Sequence, residues 1–140
     1  MKATQTPFEQ FGGEPAVTRL VARFYEVMAA REPALAHLHR CDAEGRVEAE
    51  GQGRFRLFLI GWLGGPETYV ERHGHPRLRM RHARVPVNAG MRDAWLRCMA
   101  TAMAEGDYPK QAANYIMQRL TDVAEFLRNQ DDVTSGRPET

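Results

Sequence analysis

Long apolar runs, paired cysteines, an excess of one charge and the common catalytic signatures are all missing from this sequence. No run approaches the 18 or so apolar residues that a bilayer-crossing helix needs. Met1 to Thr6 carry no apolar core of the kind found in a secretory leader, so a cytoplasmic location is the expectation. Cys41 and Cys98 form no CxxC pair, and in a reducing compartment both read as plain thiols. The formal net charge of +1 offers no electrostatic argument for nucleic acid, and no basic tail is present for a membrane surface. There is no GxSxG and no Walker loop; Gly64-Gly65-Pro66 is not followed by the Lys-Ser/Thr that would make it a phosphate cradle.

What remains is ordinary globular composition, 43% hydrophobic and 26% charged, in 140 residues, enough for one domain with one core. Residues 1–6 read as a flexible start, 7–130 as the domain, and the polar 131–140 as a disordered tail. Thr6, Pro7 and Glu9 make a helix opening: N-cap, first-turn proline, capping-box acid. Gly12-Gly13 closes that helix. Val17, Leu20, Val21, Phe24, Tyr25 and Met28 then repeat at the spacing of one buried helical face, to a stop at Pro33. Leu35, Leu38 and His39 fit a single turn, and Asp42 to Glu50 a polar connection with room for a small helix.

Phe55, Phe58, Leu59 and Trp62 mark a further amphipathic helix, ended by Gly64-Gly65-Pro66. A short helix is expected from Pro76 through His82, with Leu78 and His82 on one face, and an extended joint at Val85-Pro86-Val87. Asn88 is placed to cap a long helix with Met91, Trp95, Cys98, Met99 and Ala102 inside. A last helix sets Ala112, Tyr115, Ile116, Leu120, Val123 and Leu127 inward. With no convincing strand and no repeat, the chain reads as all-α with short connections.

Three of the five histidines, His73, His75 and His82, fall within ten residues of an arginine-rich stretch. Three readings stand open on pattern alone: a zinc site, a solvated basic loop that binds an anionic partner, or one inward histidine acting as an axial ligand. His73 and His75 are two apart and share no helical face, which disfavours zinc. Tyr25, at the edge of its face, reads on pattern alone first as a core tyrosine bonded to a carbonyl.

Three ordered blocks go further: Trp62 to Tyr69 (WLGGPETY), Gly74 to His82 (GHPRLRMRH) and Arg92 to Met99 (RDAWLRCM). With Phe11-Gly-Gly13 and Arg23-Phe-Tyr25, they closely resemble the group II truncated haemoglobins over roughly residues 7–129. That resemblance implies a truncated globin fold, a two-over-two helical sandwich around haem b. It implies His82 as the proximal iron ligand, with Trp95 and Tyr25 as distal donors to a bound gas. Phe55 takes the place of the family's bulky apolar residue over the haem, and Gly51 that of the distal gate. Arg54 and Tyr69 match positions that reach a propionate, with Arg79 a further candidate, and Phe58, Leu78 and Val87 are expected to line the haem.

The departure lies between Tyr25 and Gly51, where this chain is longer than some relatives. The family's distal-loop aromatic aligns best with His39; a shifted alignment puts Asp42 there. The function implied is binding of dioxygen, NO or CO at a five-coordinate iron. Nitric oxide dioxygenase or peroxidase-like chemistry, with peroxide as co-substrate and an electron-donating reductase, is the alternative, and either a monomer or a homodimer is compatible. A non-haem interaction module or a zinc protein are the readings from other classes.

Overall fold

The computed structural model describes residues 5–75 and 88–127. These form seven helices: α1 (Pro7–Phe11), α2 (Gly13–Arg31), α3 (Pro33–Ala36), α4 (Ala49–Trp62), α5 (Thr68–His73), α6 (Ala89–Glu105) and α7 (Lys110–Leu127). Among the described residues the sole β-type pairing is an isolated bridge between Cys41 and Val47.

The helix starts are written in local chemistry. The Thr6 hydroxyl accepts from the Glu9 N–H while the Glu9 carboxylate accepts from the Thr6 N–H, so two donors that a helix start leaves unpaired are satisfied reciprocally. Asn88 caps α6 by accepting from the Met91 N–H at 2.8 Å. Gly12 joins α1 to α2 at φ 124°, a conformation costly for any residue with a Cβ, and a Cβ there would also meet that of Ala16 at 2.9 Å. α1 is tied to the end of α4 by a hydrogen bond from Phe8 N–H to the Leu63 carbonyl.

α2 is the hub. It packs on α6, on α4 and on α3, and α6 packs on α7, which is the expected two-over-two arrangement of α2 with α4 and α6 with α7. Val17, Leu20, Phe24 and Met28 of α2 are fully buried against Leu59, Cys98, Met99 and Ile116. Ion pairs run along the outside: Arg23 with Glu105, Arg97 with Glu32, and Arg92 with Glu125. Exposed pairs of this kind each contribute little, on the order of 0–1 kcal/mol. Among the described residues no helix is long and apolar enough to cross a membrane.

Two expectations need correction. Residues 42–48 hold no helix. Asp42 instead folds the chain back on itself, its carboxylate accepting from the N–H groups of Arg46 and Glu44. An aspartate that binds nearby N–H groups stabilises a turn at the expense of a helix. Tyr115 does not face inward: it is 43% exposed. Ala112, Ile116 and Leu120, spaced by four, carry the buried line of α7, and Tyr115 sits one position off it.

Candidate functional site

Where α2, α4 and α6 meet, five rings converge. Phe24 lies at the centre, with its centroid 4.9 Å from Tyr25, 5.1 Å from Trp95 and 5.7 Å from Phe55. Phe55 and Trp95 face each other edge-on at 6.1 Å, and Tyr25 stands perpendicular to both Phe55 and His39 at 6.0 Å. Tyr25 and Trp95, seventy residues apart in the chain, are thus brought to one place with Phe55 between them.

Burial raises the Tyr25 phenol well above its ordinary range, because a phenolate there would lose its water. The hydroxyl therefore keeps its proton at neutral pH and can donate.

His39 is held from behind. Its Nδ1 lies 3.1 Å from the Leu35 carbonyl oxygen and 3.3 Å from that of Ala36. A carbonyl only accepts, so Nδ1 carries the proton, and in the neutral ring Nε2 is left with a lone pair. Neutral His39 is therefore an acceptor at Nε2 and becomes a second donor only on protonation. Asp42 is absent from this cluster; the Arg46 and Glu44 N–H groups and the Arg46 guanidinium hold its carboxyl below the usual carboxylate range. It is His39, and not Asp42, whose side chain stands beside Tyr25.

Gly51 opens the first turn of α4 beneath Val47, where a Cβ would meet Val47 Cγ1 at an ordinary 3.6 Å. Phe58 stacks on Trp62 at 6.3 Å and meets Tyr69 edge-on at 5.8 Å; Tyr69 is buried and lies 5.0 Å from the His73 ring. Arg54 is exposed, 3.7 Å from Glu50 one turn earlier. His82, Leu78, Arg79 and Val87 lie outside the described residues.

Phe24 is the site residue that sequence reasoning passed over. It was counted as core, yet it is the ring on which Tyr25, Phe55 and Trp95 all rest. Its position inside the Arg23-Phe-Tyr25 block was the available signal.

α4 bears on what could be held here. Phe55, Phe58 and Trp62 follow at i, i+3 and i+7 and so share a side of the helix, but all three are only half-buried; Leu59 and Ile60 alone are fully covered within it. Met91 and Trp95, one turn apart on α6, are half-buried as well. α4 and α6 make little backbone contact with each other, although both pack on α2. Phe55 and Trp95 bridge the two helices by ring contact, and the half-buried Phe55, Phe58 and Trp62 of α4 with Met91 and Trp95 of α6 are side chains suited to a flat apolar group such as a porphyrin. Among the described residues no three His, Cys, Asp or Glu side chains come together as metal ligands.

Residues 6–129 match the family described as bacterial-like globin. The chain is 35% identical over 126 residues, 90% of either protein, to the group 2 truncated haemoglobin YjbI of Bacillus subtilis. It superposes with TM-score 0.85 on the group II truncated haemoglobin of Bacillus anthracis, at 32% identity over 94% of this chain and 96% of that one. With the haemoglobin of Chloroflexus aurantiacus the TM-score is 0.81 at 39% identity, over 91% of this chain and all of that one.

Proposed function

The chain belongs to the bacterial-like globin family, among its group 2 truncated haemoglobins, and from that premise we propose that it binds dioxygen and related diatomic gases at haem b held by His82. The observation that carries this reading is the convergence of Tyr25, Trp95 and Phe55 around Phe24, where α4 and α6 both pack on α2. When bound, haem would supply an iron site able to take a diatomic gas as ligand. Everything else asked of the site falls to side chains.

Tyr25 and Trp95 each bring one donor, a phenol O–H and an indole N–H, to the distal side. Both are anchored by ring contacts to Phe24, so little reorganisation is needed when charge develops on the ligand. Phe24 and Phe55 exclude water, which strengthens both hydrogen bonds. Neutral His39 brings an acceptor, suited to orienting a neighbouring hydroxyl rather than to bonding an anionic ligand. Gly51 contributes no polar group and leaves room at the start of α4. His82 is the residue that would ligate the iron; Arg54, Tyr69 and Arg79 are the propionate candidates, and Phe58, Leu78 and Val87 are the candidates for the apolar walls.

A distal side with two fixed donors favours slow ligand release. That suits sensing, or redox chemistry such as nitric oxide dioxygenation or peroxide turnover with an electron-donating reductase, better than bulk oxygen transport. The test is spectroscopic. Protein reconstituted with haem should show a strong Soret band that shifts with oxygen, carbon monoxide and cyanide, and His82→Gly should lose or radically alter it. An unchanged spectrum in that variant would sink the ligand assignment.

A further inference from the structure

We propose that α7 carries a self-complementary stripe through which two copies of this chain pair as an antiparallel dimer. Three large hydrophobic residues are exposed among the described residues, and two of them, Tyr115 (43%) and Phe126 (58%), lie on α7. Arg119 and Asp122 lie between them. The spacing of Tyr115, Arg119, Asp122 and Phe126 is four, three, four, which puts all four on one flank of the helix, beside the buried line of Ala112, Ile116 and Leu120.

The order of the stripe specifies the occupant. A two-fold axis crossing α7 between Leu120 and Thr121 sets Tyr115 against the partner's Phe126 and Arg119 against the partner's Asp122, each contact occurring twice. Aromatic thus meets aromatic and cation meets anion with no residue left over, as an isologous contact requires. Any other register of two such helices places a charge against a ring or like charges together.

The charges are available for this. Among the described residues neither Arg119 nor Asp122 forms an ion pair, whereas Arg23, Arg92 and Arg97 all do. Arg119 is also held in place. Its guanidinium lies 5.0 Å from the Trp62 ring centroid and 5.8 Å from that of Tyr115, and its Nη1 donates to the Tyr115 hydroxyl at 2.8 Å. A side chain already ordered loses less entropy on pairing, and a guanidinium on aromatic faces keeps its remaining N–H groups for a carboxylate. A single helix pair buries less than the roughly 1,200 Å² at which stable interfaces begin, so the dimer is concentration-dependent and weakened by salt.

Sedimentation of the haem-loaded full chain over a concentration series tests this, with the Soret band as the check on folding. The native chain should dimerise reversibly. Asp122→Arg, which sets arginine against arginine twice, should weaken the dimer by about tenfold or more. The double variant Arg119→Asp with Asp122→Arg should restore it, because the swapped charges meet in the same register. A native chain that stays monomeric up to roughly 1 mM, where only interactions weaker than about 4 kcal/mol escape notice, overturns the proposal. So does a dimer indifferent to Asp122→Arg, or a double variant as weak as the single one.

Discussion

The two helices that pack on either side of α2 are finished to different degrees. On α6, Ala94, Cys98, Met99, Ala102 and Met103 are all buried, and Met91 and Trp95 in its first two turns are half-buried. On α4, of similar length and richer in aromatic residues, Leu59 and Ile60 are covered while Phe55, Phe58 and Trp62 remain half-exposed. Apolar area left wet forgoes about 25 cal/mol per Å². On the proposed reading, the uncovered parts of these rings are the area a bound haem would shield.

The largest expected effect breaks the buried core. Phe24→Ala removes the fully buried ring on which the other three rest, and should cost about 3–5 kcal/mol in urea unfolding, with or without haem. Phe55→Ala sharpens the contrast. Without haem it should cost clearly less than Phe24→Ala, and the haem-loaded protein should lose more than the haem-free one. Equal losses in both states would place Phe55 with the core. Next in size, Trp95→Phe keeps the ring but removes the indole N–H. Oxygen should leave faster by one to two decades in stopped flow, equivalent to about 1–3 kcal/mol; an unchanged rate would reduce Trp95 to packing.

The smallest effect is alkaline. Burial raises the Tyr25 phenol, so above pH 10 or so the unfolded chain releases a proton that the folded chain keeps. Stability from this residue is therefore fully present below that pH and falls above it, by up to about 1.4 kcal/mol per pH unit. The Cys98 thiol, pushed up to about 11 by burial, acts with the same sign from somewhat lower pH. Tyr25→Phe should flatten the alkaline limb without abolishing it, and a limb of unchanged slope would show that the phenol is not sheltered in the folded state.

Much of this was legible in the chain. The α1 capping box, the Asn88 cap and the glycine stops follow from interactions within a few residues, and such interactions travel with the sequence wherever it folds. The buried face of α2 follows from helical period alone; on α6 period finds Cys98, Met99 and Ala102 but misses Ala94 and Met103 and places Met91 and Trp95, which are half-buried, inside. The turn at Asp42 was not legible, because a short polar segment is consistent with a helix until a side chain is seen to bind the backbone. Tyr115 was misplaced because period cannot tell a side chain at the edge of a buried face from one just beyond it.

The family, the all-helical fold and the candidates Tyr25, Trp95 and Phe55 were thus available from residue order, since helix period and motif spacing are one-dimensional properties. Three things waited on tertiary structure: that Phe24 is the ring joining Tyr25 to Trp95, that His39 rather than Asp42 stands beside Tyr25, and that the His39 Nδ1 proton is spoken for by backbone carbonyls. Each depends on which surfaces meet when α2, α4 and α6 pack. That meeting is decided by the fit of whole faces over long sequence separations, about which no local pattern carries information.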